Sequence, residues 1–115
     1  MLKNDLVALN DGRIAIPLLQ NIIDETTLKI ISSIIDAPKN VFQICYDNKI
    51  PLSSTYRKIR KLQQEGLISI EKIEIDSKGR RVALYRSKIK SLDFNLKKES
   101  ILLQFEKNDG FLSKH

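Results

Sequence analysis

The sequence predicts an α+β fold: three short helices in series, a basic β-hairpin behind them, and an additional C-terminal β-hairpin. Three observations predict it. Apolar residues between Asp24 and Glu65 recur at helical spacing, the period changes to alternation from Leu67 onward, and turn residues punctuate the chain at Asp36-Ala37-Pro38, Asp47-Asn48-Lys49, Gly66 and Ser77-Lys78-Gly79.

Residues 1–21 read as an N-terminal extension carrying a weaker hairpin signal over Asp5 to Pro17, with Asn10-Asp11-Gly12 as the turn between Leu6–Leu9 and Ile14–Ile16. Asp24 can cap a helix whose apolar stripe is Leu28, Ile31, Ile34 and Ile35, closed by Asp36-Ala37-Pro38. Asn40 can cap a second, shorter helix that turns Val41, Ile44 and Cys45 inward and stops in the turn Asp47-Asn48-Lys49.

The third helix is expected from about Ser53 to Glu65. Pro51 pushes Ile50 away from helical geometry, and Ser53 or Ser54 can accept from the first free amides. Leu52, Tyr56, Ile59 and Leu62 follow steps of four, three and three, so they stack on one side and face a core. Opposite them cluster Ser54, Arg57, Lys58 and Lys61, with Ser53 and Arg60 on a flank. Gly66 marks the stop because glycine tolerates the left-handed turn that closes many helices, and Leu67 can fold back onto the helix. Two short helices with so tight a joint suggest a helix-turn-helix.

From Leu67 to Asp76 the chain is Ile-rich and β-branched, and Arg81 to Lys90 returns with Val82 and Leu84 alternating against Ala83, Tyr85 and Ile89. Alternation slips between Ile70 and Ile73, so either the strand carries a bulge or its outer half faces differently. The hairpin tip carries Lys78, Arg80 and Arg81. Farther on, Leu92, Phe94 and Leu96 alternate, as do Ile101, Leu103 and Phe105, so residues 91–107 read as a second hairpin with one apolar face. That face needs a partner, from its own domain or from another chain. Residues 108–115 read as a loose tail.

Helix, helix-turn-helix, Leu62-x-x-x-Gly66-Leu67-Ile68 and the basic hairpin with Arg80-Arg81-Val82-Ala83-Leu84-Tyr85 resemble the winged helix-turn-helix transcription regulators of the arsenic-repressor-like superfamily, in its small prokaryotic and archaeal form. The resemblance spans roughly residues 22–89, so 22–90 is expected to be the DNA-binding domain, a three-helix core plus a β-hairpin wing. It implies a homodimeric repressor or activator with the helix from Ser53 to Glu65 in the major groove and the wing on the backbone or minor groove. Metal-sensing members carry Cys or His clusters, and this chain departs from them: Cys45 and His115 are its whole complement.

Charge points to the same half of the chain without help from the family. Lys49 to Lys90 holds twelve Lys or Arg against four Asp or Glu, or +8, and the remainder holds eight against ten, or −2, giving the net +6. Phosphates draw such a patch by releasing condensed cations. Base reading is expected of Arg57, whose fork matches guanine, with Ser54, Lys58 and Lys61 reaching base edges or phosphates. Ser53, Thr55 and the helix N-terminal amides are expected to hold phosphate. Each feature has a plainer reading: a basic face is often only solvated surface, Tyr56 fits a core position better than a base-stacking one, and Arg80 and Arg81 can simply guard a strand edge.

At 115 residues the chain is expected to be one domain that gains stability by dimerising. One cysteine excludes an internal disulfide, and the sequence has neither a membrane span nor a secretory signal layout, which fits a reducing cytoplasm. No phosphate-binding glycine loop or nucleophile elbow is present, and the sole histidine is terminal, so no catalytic residue, cofactor, metal or small-molecule ligand is expected. The partners expected are double-stranded DNA and a second copy of the chain. Three functions stay open: a sequence-specific regulator, a nucleoid-like or RNA-binding protein without base selection, and a winged helix used for protein contacts in a transcription assembly.

Overall fold

The computed structural model describes residues 6–9, 12–98 and 100–108. These form an α+β arrangement in the order β1 (Leu6–Leu9), α1 (Gly12–Ile22), α2 (Glu25–Ser33), α3 (Val41–Asn48), α4 (Leu52–Gln64), β2 (Ile68–Ile75), β3 (Arg81–Ser87), β4 (Ile89–Lys97) and β5 (Ser100–Lys107). The strands make two antiparallel sheets, β2-β3 and β1-β5-β4.

Local chemistry sets the helix ends. The Asp24 carboxylate accepts from the Thr27 amide at 2.9 Å and the Thr27 hydroxyl at 2.8 Å, starting α2. With its hydroxyl satisfied, Thr27 is buried at low cost, and the inward stripe is Thr27, Ile30 and Ile31, with Leu28 left exposed. Ile31 and Ile34 face inward as expected, so the correction is confined to the first turn, where Thr27 takes the place expected of Leu28. Ile34, at the C-cap, remains fully buried although it lies beyond the last helical residue.

Asn40 and Gln43 form a reciprocal capping box at the start of α3, each side chain accepting from the other's backbone amide. The joint to α4 is made by Lys49 in the left-handed region, φ 56°. Helix α4 then begins one residue earlier than expected: Pro51 is the N-cap, no side chain caps the helix, and Ser53 and Ser54 lie inside the first turn. Proline's fixed φ, here −67°, suits that entry. At the other end Gly66 adopts φ 77°, its amide reaches the Gln63 carbonyl and the Leu67 amide reaches the Leu62 carbonyl, which folds Leu67 into the core.

Ile30, Ile34, Ile44, Ile59 and Leu62 meet in that core, joined from the strands by Ile68 and Phe105. Each such aliphatic side chain contributes on the order of 1.5–3 kcal/mol by leaving water.

Strands β2 and β3 pair from Ile68↔Ser87 to Ile75↔Arg81, with a register shift between Ile70 and Lys72. The slip read in the sequence is therefore a bulge at Glu71. A two-way backbone bridge between Lys39 and Tyr85, at 3.1 and 2.8 Å, ties β3 to the segment entering α3. The returning strand is shorter than expected: it stops at Ser87, whose buried hydroxyl engages Ile89, and Lys88 hands the chain to the other sheet. Ile89 and Lys90 thus open β4, so the boundary drawn between residues 90 and 91 falls inside a strand.

The C-terminal hairpin has the expected faces, with Leu92 opposite Phe105, Phe94 opposite Leu103 and Leu96 opposite Ile101. Leu103 and Phe105 are buried within the chain, and Phe94 and Leu96 stay exposed toward the turn. The N-terminal hairpin does not form. Ile14 to Ile16 lie in α1, and β1 pairs with β5. A strand through Ile16 would run into Pro17, which has no amide to donate, whereas β5 offers an uninterrupted edge.

Asn108, expected to begin the loose tail, is instead buried and anchored. Its side-chain amide donates to the carbonyls of Ile35 at 2.8 Å and Ser87 at 2.9 Å, and its backbone amide to Lys88 at 2.9 Å. The looseness expected of residues 1–4 and 109–115 lies outside the described residues. Among the described residues no helix is long and apolar enough to cross a membrane.

Candidate nucleic-acid interface

Helix α4 buries Thr55, Ile59 and Leu62. Ile59 and Leu62 face the core as expected, and the departure is at the helix start: Leu52 and Tyr56 are each 40% exposed, and Thr55 is fully buried in their place with its hydroxyl donating to the Pro51 carbonyl at 2.7 Å. That bond removes the cost of burying a threonine and takes Thr55 out of the set that can touch a ligand. Ser54 is half-buried, with its hydroxyl 3.4 Å from the same carbonyl.

Across the helix, Ser53, Arg57, Arg60 and Lys61 are exposed. Among the described residues no acidic side chain pairs with Arg57, Arg60 or Lys61. Lys58 differs from them. Its ammonium lies 3.3 Å from Asp24, so it braces α4 against the start of α2. Burial opposes ionisation of Asp24, but the Thr27 amide and hydroxyl and the Lys58 ammonium together outweigh it and hold the carboxyl below its ordinary value.

At the hairpin tip Asp76 gathers the turn. Its carboxylate accepts from the amides of Lys78 and Arg80, both at 2.8 Å, and from the Arg80 guanidinium at 2.9 Å. The Arg80 amide is the chief cause that keeps the Asp76 carboxyl below its usual value. Arg80 is thus already committed to its own turn, and Lys78 and Arg81 are the exposed cations of the tip that carry no ion pair among the described residues.

Between the helices and the hairpin lies a hollow of about 240 Å³ lined by Val41, Phe42, Tyr56, Arg81, Val82, Ala83 and Tyr85. It brings together Arg81 of the hairpin and Tyr56 of α4. The Tyr85 phenol is pushed above its ordinary value by burial, with Tyr56 adding to the shift and the Arg60 charge opposing it. Sequence reading left Arg60 on a flank and gave no role to Phe42 or Tyr85. The signal within reach was Phe42 and Tyr46, two large aromatic residues one turn apart on the solvent side of a short helix.

The assembled surface is a row of exposed cations on one helix, with hydroxyls and uncapped amides at its start and a cationic hairpin alongside. Such a surface attracts polyanions, and its guanidinium groups can form paired hydrogen bonds to phosphates or guanine. No family model and no curated protein matches the chain.

Proposed function

We propose that the chain is a sequence-specific DNA-binding regulator of the winged helix-turn-helix type, with α3 and α4 as the helix pair, α4 in the major groove and the β2-β3 hairpin as the wing. The observation that carries this reading is the placement of Arg57 and Lys61. They stand one turn apart, exposed and without an acidic partner among the described residues, on a helix whose opposite side is core. Ser53 and the uncapped first-turn amides supply phosphate contacts that set register, and Lys78 and Arg81 grip the backbone beside the helix.

The regulator acts by binding and not by catalysis, and as a homodimer it would present two α4 helices to successive major grooves about one helical turn apart. Selection of bound duplexes from a random pool is the test. The reading expects an enriched palindrome and affinity that falls with salt by a log-log slope of about −0.9 per phosphate neutralised. Equal affinity for all duplexes, or a preference for structured RNA, would refute it.

A further inference from the structure

The hollow between α3, α4 and β3 has a composition unlike the cationic row beside it. Its lining combines three aromatic residues, Phe42, Tyr56 and Tyr85, with the small apolar Val41, Val82 and Ala83 and the cation Arg81. Tyr85 packs against the core, but the other two rings are not spent on it: Phe42 is 58% exposed and Tyr56 40%. No hydrogen bond within the described residues occupies either tyrosine hydroxyl. At about 240 Å³ the hollow lies below the 300–1,000 Å³ usual for sites of drug-sized ligands and suits a single planar ring system. Aromatic faces with a neighbouring guanidinium are the chemistry that holds nucleobases when they leave a helix stack.

We infer that this hollow takes one unstacked nucleobase, supplied by the same DNA that α4 grips. The inference rests on the DNA-binding reading and adds to it a preferred substrate: duplex with a locally unpaired base, at an end, a mismatch or a single-stranded tail. The base lies against Phe42 and Tyr56, the tyrosine hydroxyls meet its edge, and Arg81 meets the flanking phosphate. Continuity argues for the bound strand as the source, since the hollow is lined both by Tyr56 of α4 and by Arg81 of the wing.

The test compares, by fluorescence anisotropy at one salt concentration, a blunt duplex, the same duplex with a three-nucleotide tail, the tail alone, and adenosine monophosphate as competitor. The tailed duplex is expected to bind about fivefold or more tighter than the blunt one, the lower end of what one stacked base contributes. Phe42→Ala and Tyr56→Ala should abolish that advantage and leave blunt-duplex affinity unchanged. Tyr56→Phe, which keeps the ring, should retain the greater part of it. Arg57→Ala should weaken blunt and tailed duplexes by the same factor. Phe42 is solvent-facing, so its variant separates loss of stacking from loss of fold, which thermal melting monitors. Equal affinity for blunt and tailed duplexes, with Arg57→Ala still weakening both, would overturn this inference alone. Adenosine monophosphate displacing the tail at low concentration would overturn the bound-strand source and assign the hollow to a free nucleotide. Duplex binding indifferent to Arg57 and Lys61 would overturn the parent reading as well.

Discussion

Glu71 and Arg86 form an ion pair at 2.8 Å although the β2-β3 ladder sets Ser69, and not Glu71, opposite Arg86. The bulge makes this contact: Glu71 is the residue skipped by the register shift. Both side chains are largely buried, and Arg86 also donates to the Ile35 carbonyl at 2.8 Å, so one guanidinium joins the hairpin to the end of α2. Removing one partner of a buried pair leaves the other charge desolvated and uncompensated. Arg86→Leu is expected to cost about 3 kcal/mol. Glu71→Gln, which keeps an acceptor in place, should cost less. Urea unfolding midpoints measure both, and a loss below about 1 kcal/mol for Arg86→Leu would mean that the pair is solvated in solution.

Acid should loosen the joint between α2 and α4. The Asp24 carboxyl is held below its ordinary value in the fold, so its contribution is complete above the unfolded value of about 4 and is lost as pH falls through the lower, folded value. Asp24→Asn, which can still accept from Thr27, should flatten the stability profile on the acid side, and Asp24→Ala should cost about 1 kcal/mol at neutral pH through loss of the cap. Unfolding midpoints at pH 6 and pH 3 decide this. If the Asn variant loses as much on acidification as the parent, the acid response comes from other carboxylates.

Lys49 carries a side chain where the backbone favours glycine. Its φ of 56° is the left-handed conformation that costs an L residue about 1–2 kcal/mol. Lys49→Gly is expected to raise stability by about 0.5–1 kcal/mol, the gain at the turn being partly offset by a freer unfolded chain. Thermal melting should show the rise. Unchanged or lowered stability would mean that the lysine stem packs well enough to offset its backbone strain.

On DNA, the cations of α4 should separate by whether each is already engaged. Arg57→Ala is expected to lose about 1–3 kcal/mol of binding, concentrated at one base position, and Lys61→Ala to lower the salt slope by about one unit of phosphate contact. Lys58→Ala should weaken binding less and stability more, because Lys58 is tied to Asp24. Arg81→Ala should give a small loss that is blind to sequence. Titrations of a selected site against a scrambled one at several salt concentrations resolve these classes, and a Lys58 effect as large as that of Arg57 would contradict the order.

The proposed homodimer would use the exposed outer part of β4, where Leu96 is 72% exposed beside Phe94 on an edge strand. Leu96→Lys should leave the melting of the folded chain nearly unchanged at low concentration and raise the dimer dissociation constant about tenfold or more, or 1.4 kcal/mol. Sedimentation equilibrium reads both states. A parent chain that stays monomeric at high concentration would remove the dimer from the proposal.

What the sequence made legible was the chemistry that acts over a few residues. The Asn40 cap, the Gly66 stop, the slip near Glu71 and the hairpin over residues 91–107 all arise from neighbours along the chain or across one turn. Ile59 and Leu62 of α4 were read correctly, and its first turn was misread because Thr55 counts as polar in any periodicity, its bond to the Pro51 carbonyl lowering the cost of burial. The pairing of β1 with β5 joins residues about a hundred apart and leaves no local trace. Within the candidate site, Arg57 and Lys61 could be read from the helical wheel. The aromatic hollow depends on how separate elements meet, and the engagement of Arg80 by Asp76 on the particular turn that closes the hairpin.

The two backbone bonds between Lys39 and Tyr85 deny the hairpin the freedom of a hinged flap. Its root moves only if the lead-in to α3 moves with it, so the finger and the helix pair arrive at any partner already set at one angle. Little freedom is then surrendered on docking, and selectivity falls to partners whose contour matches a preformed mould.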